Sequence, residues 1–172
     1  MNPEDFDHIT SAIQAIITSG SIIIAGIWAY RKFILQQEKY PNIIFNTDIN
    51  FIGKQNNEWL IEVVANIENK GKAQHKMKNF NFDINALFAS DELVLLDKWG
   101  GQVNFPNQII NGSFLPSNMG FFFVDPGTTA KYSFIAKIPS SATFVILHSY
   151  FDYYDERKYI HSSERTVKVP KD

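Results

Sequence analysis

A mainly β protein behind a single N-terminal transmembrane α-helix is the fold class this sequence predicts. Three observations predict it. The run Ile9–Tyr30 carries no charged residue and no proline. From Ile43 onward, apolar and polar residues alternate with period two in one run after another. Aromatic residues make up 15% of the chain, including fifteen Phe, and such side chains pack well on a pleated surface.

As an α-helix, Ile9–Tyr30 rises about 33 Å, which matches a hydrocarbon core of about 30 Å. Ile13, Ile16, Ile17, Ile22, Ile23, Ile24, Ile27 and Trp28 go all round it, whereas a surface helix of a soluble domain keeps a polar side. The hydroxyls of Thr18, Ser19 and Ser21 are expected to bond to their own helix carbonyls. Trp28 and Tyr30 stand where an interfacial aromatic belt belongs. A secretory signal peptide fits less well: the segment is long, basic residues follow it, and no small-x-small site lies beyond Tyr30. The lipid bilayer is thus the expected partner of residues 9–30. The chain divides into an acidic tail (1–8), a transmembrane helix with a polar extension ended by Pro41 (9–40), and a β domain (41–172).

Glu4, Asp5 and Asp7 precede the helix without any Lys or Arg, while Arg31, Lys32 and Lys39 follow it. The positive-inside rule then puts the N-terminus outside and the β domain in the cytoplasm, single-pass in the inner (cell) membrane. The absence of cysteine agrees with that compartment. The glycosylation pattern Asn111-Gly112-Ser113 has no meaning there. Ser21, Ala25 and Ala29 form a small-residue row, with Gly20 and Gly26 beside it. Such rows let helices approach closely, so a homo-oligomer packed through them is one expectation; small residues are also simply common in membrane helices.

The β domain reads as strands joined by turns. Ile43, Phe45, Thr47, Ile49 and Phe51 share one face of a first strand, and Gly53–Asn57 turns the chain into a second, Trp59–Asn69. Met77–Leu87 is a third strand. Leu93–Leu96 is a short apolar piece, and residues 97–119 read as loops with one or two short edge strands. Phe121–Val124, Lys131–Ile138, Phe144–Phe151 and Tyr159–Val169 complete the set, with Phe144–Phe151, apolar on both faces, as the central strand. About seven strands without intervening helices predict an antiparallel sandwich, with a small closed barrel as the alternative.

Two stretches carry a resemblance. Ile67-Glu68-Asn69-Lys70-Gly71-Lys72-Ala73 resembles the N-x-G strand-turn of bacterial immunoglobulin-like, adhesion-type sandwich modules. Asp125-Pro126-Gly127 leading into Tyr132-Ser133-Phe134 resembles their P-G turn before a later strand. The resemblance covers residues 43–138 and rests on turn chemistry. It implies an immunoglobulin-like sandwich that binds or spaces partners and has no catalytic activity.

The chemistry-bearing residues are sparse. No G-x-S-x-G, P-loop or H-E-x-x-H motif occurs. His8, His75, His148 and His161 lack metal-ligand spacing, so no metal and no cofactor is expected. A net charge of −2 gives no drive toward a nucleic-acid duplex. The densest polar cluster lies around the last hairpin, where His148, Tyr150 and Asp152 share a strand face by period two. His161 is expected opposite them and Arg157 in the turn between. This set can grip a ligand or partner by stacking and charge pairing, it can carry acid–base work through His148 and Asp152, or it is a solvated turn. The aromatic-rich run Phe105–Phe123 is expected to be core, against the alternative of an exposed patch.

The reading that follows is a non-enzymatic binding or assembly module on a membrane anchor, with an unknown protein or small-molecule partner. The alternative is a membrane effector. In overall layout the chain is similar to compact effectors of bacterial antiphage defence, in which a β domain senses a nucleotide-like signal. That layout implies a helix that perturbs the bilayer when oligomers rearrange, and a pocket holding Arg157, His148 and Tyr150.

Overall fold

The computed structural model describes residues 3–33, 41–97, 100–153 and 159–171. It divides into two compact units, Met1–Tyr40 and Pro41–Asp172. The first unit is helix α1, Pro3–Phe33. It begins within the expected acidic tail. Proline suits a first helical position, and Arg31 and Lys32 in the last turn complement the negative end of the helix dipole. Ile13–Lys32 is long and apolar enough to cross a membrane, and none of that span is buried in the protein. Thr18 Oγ1 donates to the Gln14 carbonyl and Ser21 Oγ to that of Ile17, both at 2.8 Å, which satisfies these hydroxyls within the helix. Lys32 Nζ lies 4.5 Å from the centre of the Trp28 ring. The expected polar extension, 34–40, lies outside the described residues.

Among its described residues the second unit contains ten strands: β1 (Ile43–Gln55), β2 (Glu58–Asn69), β3 (His75–Phe88), β4 (Leu95–Leu96), β5 (Gln102–Val103), β6 (Asn107–Ser113), β7 (Phe122–Val124), β8 (Thr129–Pro139), β9 (Ala142–Tyr153) and β10 (Ile160–Lys168). One sheet has the order β1-β2-β8, and a larger one β10-β9-β3-β6, with β7 pairing the start of β3. Every pair is antiparallel. Two sheets that pack face to face make a sandwich and not a closed barrel. Where β1 meets β10, Thr47 Oγ1 donates to Ser163 Oγ at 3.2 Å.

The alternation seen in the sequence is the burial pattern. Phe45, Ile49, Ile61, Val63, Ala65 and Ile67 point inward from the small sheet, and Phe82, Ile84, Val145, Leu147 and Phe151 from the large one. Phe80 is the hub of the core. Its ring centre lies 5.8 Å from Phe45, 4.6 Å from Phe114, 4.9 Å from Phe122 and 5.2 Å from Tyr132. Edge-to-face and offset pairs at such spacings favour the aromatic quadrupoles. Met77 and Phe80 are both fully buried although they differ in parity. The register shifts between Lys78 and Asn81, and Asn79 adopts φ 54°, a bulge that resets the alternation. The aromatic-rich run 105–123 is split. Phe114, Leu115 and Phe122 are core, whereas Met119, Phe121 and Phe123 are exposed, with Lys76 Nζ 3.8 Å over the Phe121 ring.

Asn69 is completely buried at the end of β2. Its Nδ2 donates to the carbonyls of Ala73 and Val124, each at 2.9 Å, and its Oδ1 accepts from the Gly71 amide at 2.9 Å. Its backbone amide donates to Thr128 O and its carbonyl accepts from Gly127 N. One amide side chain therefore joins the β2–β3 turn to the β7–β8 turn, the two stretches that carry the sequence resemblance. Replacing it by an isosteric apolar residue strands two carbonyls and an amide, so Asn69→Leu is expected to cost about 3 kcal/mol in chemical denaturation. A second site tests the core itself. Gly112 sits opposite Phe82 in the β3–β6 ladder, and a Cβ there would come within 2.5 Å of the Phe82 ring. Gly112→Ala is expected to destabilise the domain by about 1–3 kcal/mol, the usual range for overpacking.

Candidate functional site

The outer face of the large sheet carries the site. Strand register puts Asp83 of β3 beside His148 of β9, and His148 beside Glu164 of β10. Directly opposed residues of antiparallel strands have Cα atoms about 4.5–5.5 Å apart, so a carboxylate, an imidazole and a carboxylate stand in one row. The next row is Asn85, Ile146 and Thr166, and the one after it Leu87, Phe144 and Lys168. The face therefore grades from charged to apolar along the strands.

A ribbon overhangs this face. The β3–β6 connection folds back as the β4–β5 hairpin, with Gly100 and Gly101 at φ 65° and 86° in its turn, where only glycine adopts such angles freely. Asp91 clamps its base: Oδ2 accepts from the Phe88 amide at 2.8 Å and from Asn107 Nδ2 at 2.7 Å. Gln102 Nε2 donates to Glu164 Oε1 at 2.9 Å and ties the ribbon to β10. Between ribbon and sheet runs an open groove of about 750 Å³, whose lining includes Asp83, Asn85, Phe105, Gln108, His148 and Glu164. An apolar extension of about 370 Å³ continues it over Leu87, Leu93, Phe144 and Ile146. Both lie in the size range of small-molecule sites. Among the described residues, no Lys or Arg lines either part.

The residues singled out from the sequence, Arg157 apart, now have a place. His148, Tyr150 and Asp152 do share the outer face of β9. His148 lies in the groove, and Tyr150 packs beside it with ring centres 5.4 Å apart. Asp152 Oδ2 accepts from Asn79 Nδ2 at 2.6 Å, which pins the bulge in β3. It stands four residues, or about 13 Å, along the strand from His148, so the acid–base neighbours of His148 are Asp83 and Glu164. Arg157 lies outside the described residues. His161 is not opposite the other three. It pairs with Phe151, one residue out of the expected phase, and a one-residue change of register reverses the face. Its ring stacks on Phe151 at 5.4 Å, and its Nδ1 shares a 3.0 Å hydrogen bond with the Tyr153 hydroxyl. Ser21 and Ala25 are exposed on α1 and Ala29 partly so.

Asp83, Asn85 and Gln108 escaped sequence reasoning, and Glu164 stood in the polar cluster of the last hairpin without being singled out as a site residue. They belong to three different strands, and only pairing register gathers them. The available signal was the polar alternation Asn79, Asn81, Asp83, Asn85, which marks an outer face without naming its neighbours. No group of three His, Cys, Asp or Glu among the described residues is arranged to hold a metal ion.

No family model matches this chain, and no curated protein matches it in sequence. Among solved structures it is similar to a structural-genomics protein designated SoR45, at 14% identity and a TM-score of 0.48, over 76% of this chain and 90% of that one. A Bordetella pertussis protein described as ApaA matches at 12% identity and a TM-score of 0.47, over 78% of this chain and 98% of that one. A Bacteroides uniformis β-glucuronidase matches at 6% identity and a TM-score of 0.43, over 73% of this chain but 14% of the enzyme. These likenesses are weak resemblances among β-rich folds and carry no argument about activity. Fold and groove together define a class: a mainly β, antiparallel protein with one N-terminal helix apolar enough to cross a membrane.

Burial lowers the pKa of His161 below its ordinary 6.5. The unfolded chain therefore takes up this proton first. The contribution of His161 to stability is complete above pH 6.5 and is lost as pH falls through the window beneath it. His161→Phe is expected to flatten the decline in stability between about pH 7 and pH 5, measured by urea denaturation at each pH. An unchanged slope would show that this ring does not titrate with unfolding.

Proposed function

We propose that this protein is a single-pass inner-membrane protein that presents a cytoplasmic, immunoglobulin-like sandwich as a non-enzymatic binding module. The groove over the Asp83–His148–Glu164 row is the observation that carries the reading: it is concave, mixed in polarity and large enough for a small molecule. Support for the immunoglobulin-like assignment comes from the strand order. The β2–β3 and β8–β9 connections cross between sheets, while β1–β2 and β9–β10 are hairpins, as in Greek-key sandwiches of that kind. Support for the orientation is the basic end of α1, Arg31 and Lys32, against its acidic start. Packing through Ser21, Ala25 and Ala29 would make the anchor a homo-oligomer.

The second reading, a membrane effector that senses a small signal, is favoured by the position of His148 in a groove. The carboxylates beside that histidine weigh against a phosphate-bearing signal, because like charges repel in a partly desolvated site. Topology is the first test. A green fluorescent reporter fused after Asp172 is expected to fluoresce, and alkaline phosphatase at the same point to stay inactive. The opposite pair of results would place the sandwich outside the cytoplasm.

A further inference from the structure

The groove has a definite chemical polarity, and that polarity selects a ligand. At one end, Asp83 uses Oδ1 to accept from Gln108 Nε2 at 2.9 Å and from Asn111 Nδ2 at 2.6 Å. Glu164 uses Oε1 to accept from Gln102. The second oxygen of each carboxylate has no partner among the described residues. Asn85 Oδ1, on the same floor, is buried and accepts no hydrogen bond. Buried acceptors are normally satisfied, so Asn85 Oδ1 lacks a donor, while the open carboxylate oxygens face the groove and water. At the other end the surface is hydrocarbon and aromatic, from Phe105, Phe144, Ile146 and Leu93. No cationic side chain among the described lining residues neutralises the carboxylates.

We propose that this groove binds a small amphipathic organic cation, a protonated amine on an apolar body. The ammonium stands at the Asp83–His148–Glu164 row, where it donates to the open carboxylate oxygens. Its body lies beneath the β4–β5 ribbon, over Ile146 and Phe144. The ammonium supplies the missing donors, and the apolar body covers surface that the ribbon leaves wet. Anionic ligands are disfavoured at the same row. The proposal rests on the reading of the sandwich as a binding module and gives that module its ligand class.

The test uses the full-length protein in nanodiscs, with 2-phenylethylamine as the cationic probe, 2-phenylethanol as its neutral counterpart and AMP as an anionic one. Calorimetric titration, corrected with empty nanodiscs, is expected to show the amine binding about tenfold or more tighter than the alcohol, as a charge-assisted hydrogen bond provides. Asp83→Asn keeps the Oδ1 acceptor for Gln108 and Asn111, so the fold is retained. It and Glu164→Gln are each expected to weaken the amine about tenfold and to leave the alcohol unchanged. Phe105→Ala is expected to weaken both. Equal binding of amine and alcohol, or indifference to the two carboxylate substitutions, overturns the proposal. Tight AMP binding without amine binding overturns the ligand class and leaves the binding module standing. An intact fold that takes no probe in the groove overturns both.

Discussion

The sandwich depends on one buried amide. Asn69 has no exposure to water, and every polar atom it has meets a partner in a turn. A buried polar group is costly when it is left alone and specific when it is fully satisfied. Here the satisfaction is shared between two loops that lie far apart in sequence. The β2–β3 turn carries the chain from one sheet to the other, and the β7–β8 turn carries it back. Locking them together fixes how the two sheets face each other.

Aromatic packing then fills the space that this lock defines. Phe80 touches rings from both sheets, and Phe82 lies over Gly112 in its own sheet and against Phe134 from the other. The bulge at Asn79 is what brings Met77 and Phe80 inward together. Its consequence reaches the outer surface. By resetting the phase of β3, it puts Asp83 and Asn85 outward, in register with His148 and Ile146. The core and the groove floor are therefore two faces of one alternation, and the same bulge sets both.

The groove owes its walls to a different device. A sheet face is nearly flat, and a flat face does not enclose a ligand. The connection from β3 to β6 is long enough to fold back as a ribbon, and Asp91 holds its two ends close together. The exposed hydrogen bond from Gln102 to Glu164 ties the ribbon to β10.

The sequence by itself determined the apolar helix, most of the strands, their inward faces and the central position of β9. Each is a local pattern: an uncharged run long enough for a bilayer, or a period of two that sorts residues between core and water. It also determined that Thr18 and Ser21 would bond within the helix, because those partners lie one turn away. Only the tertiary structure decided the rest. His161 falls on the core face because the β9–β10 register differs by one residue from the expected one, and a turn whose length alone does not set its geometry leaves register open. Asp83, His148 and Glu164 meet because three strands pair in one alignment, which no local pattern encodes. Asn69 looked like turn chemistry in the sequence. Its role as the lock between two turns appears only when the chain segment around Val124, 55 residues away, comes back to meet it. Periodicity is a property of neighbours in the chain; a site is a property of neighbours in space.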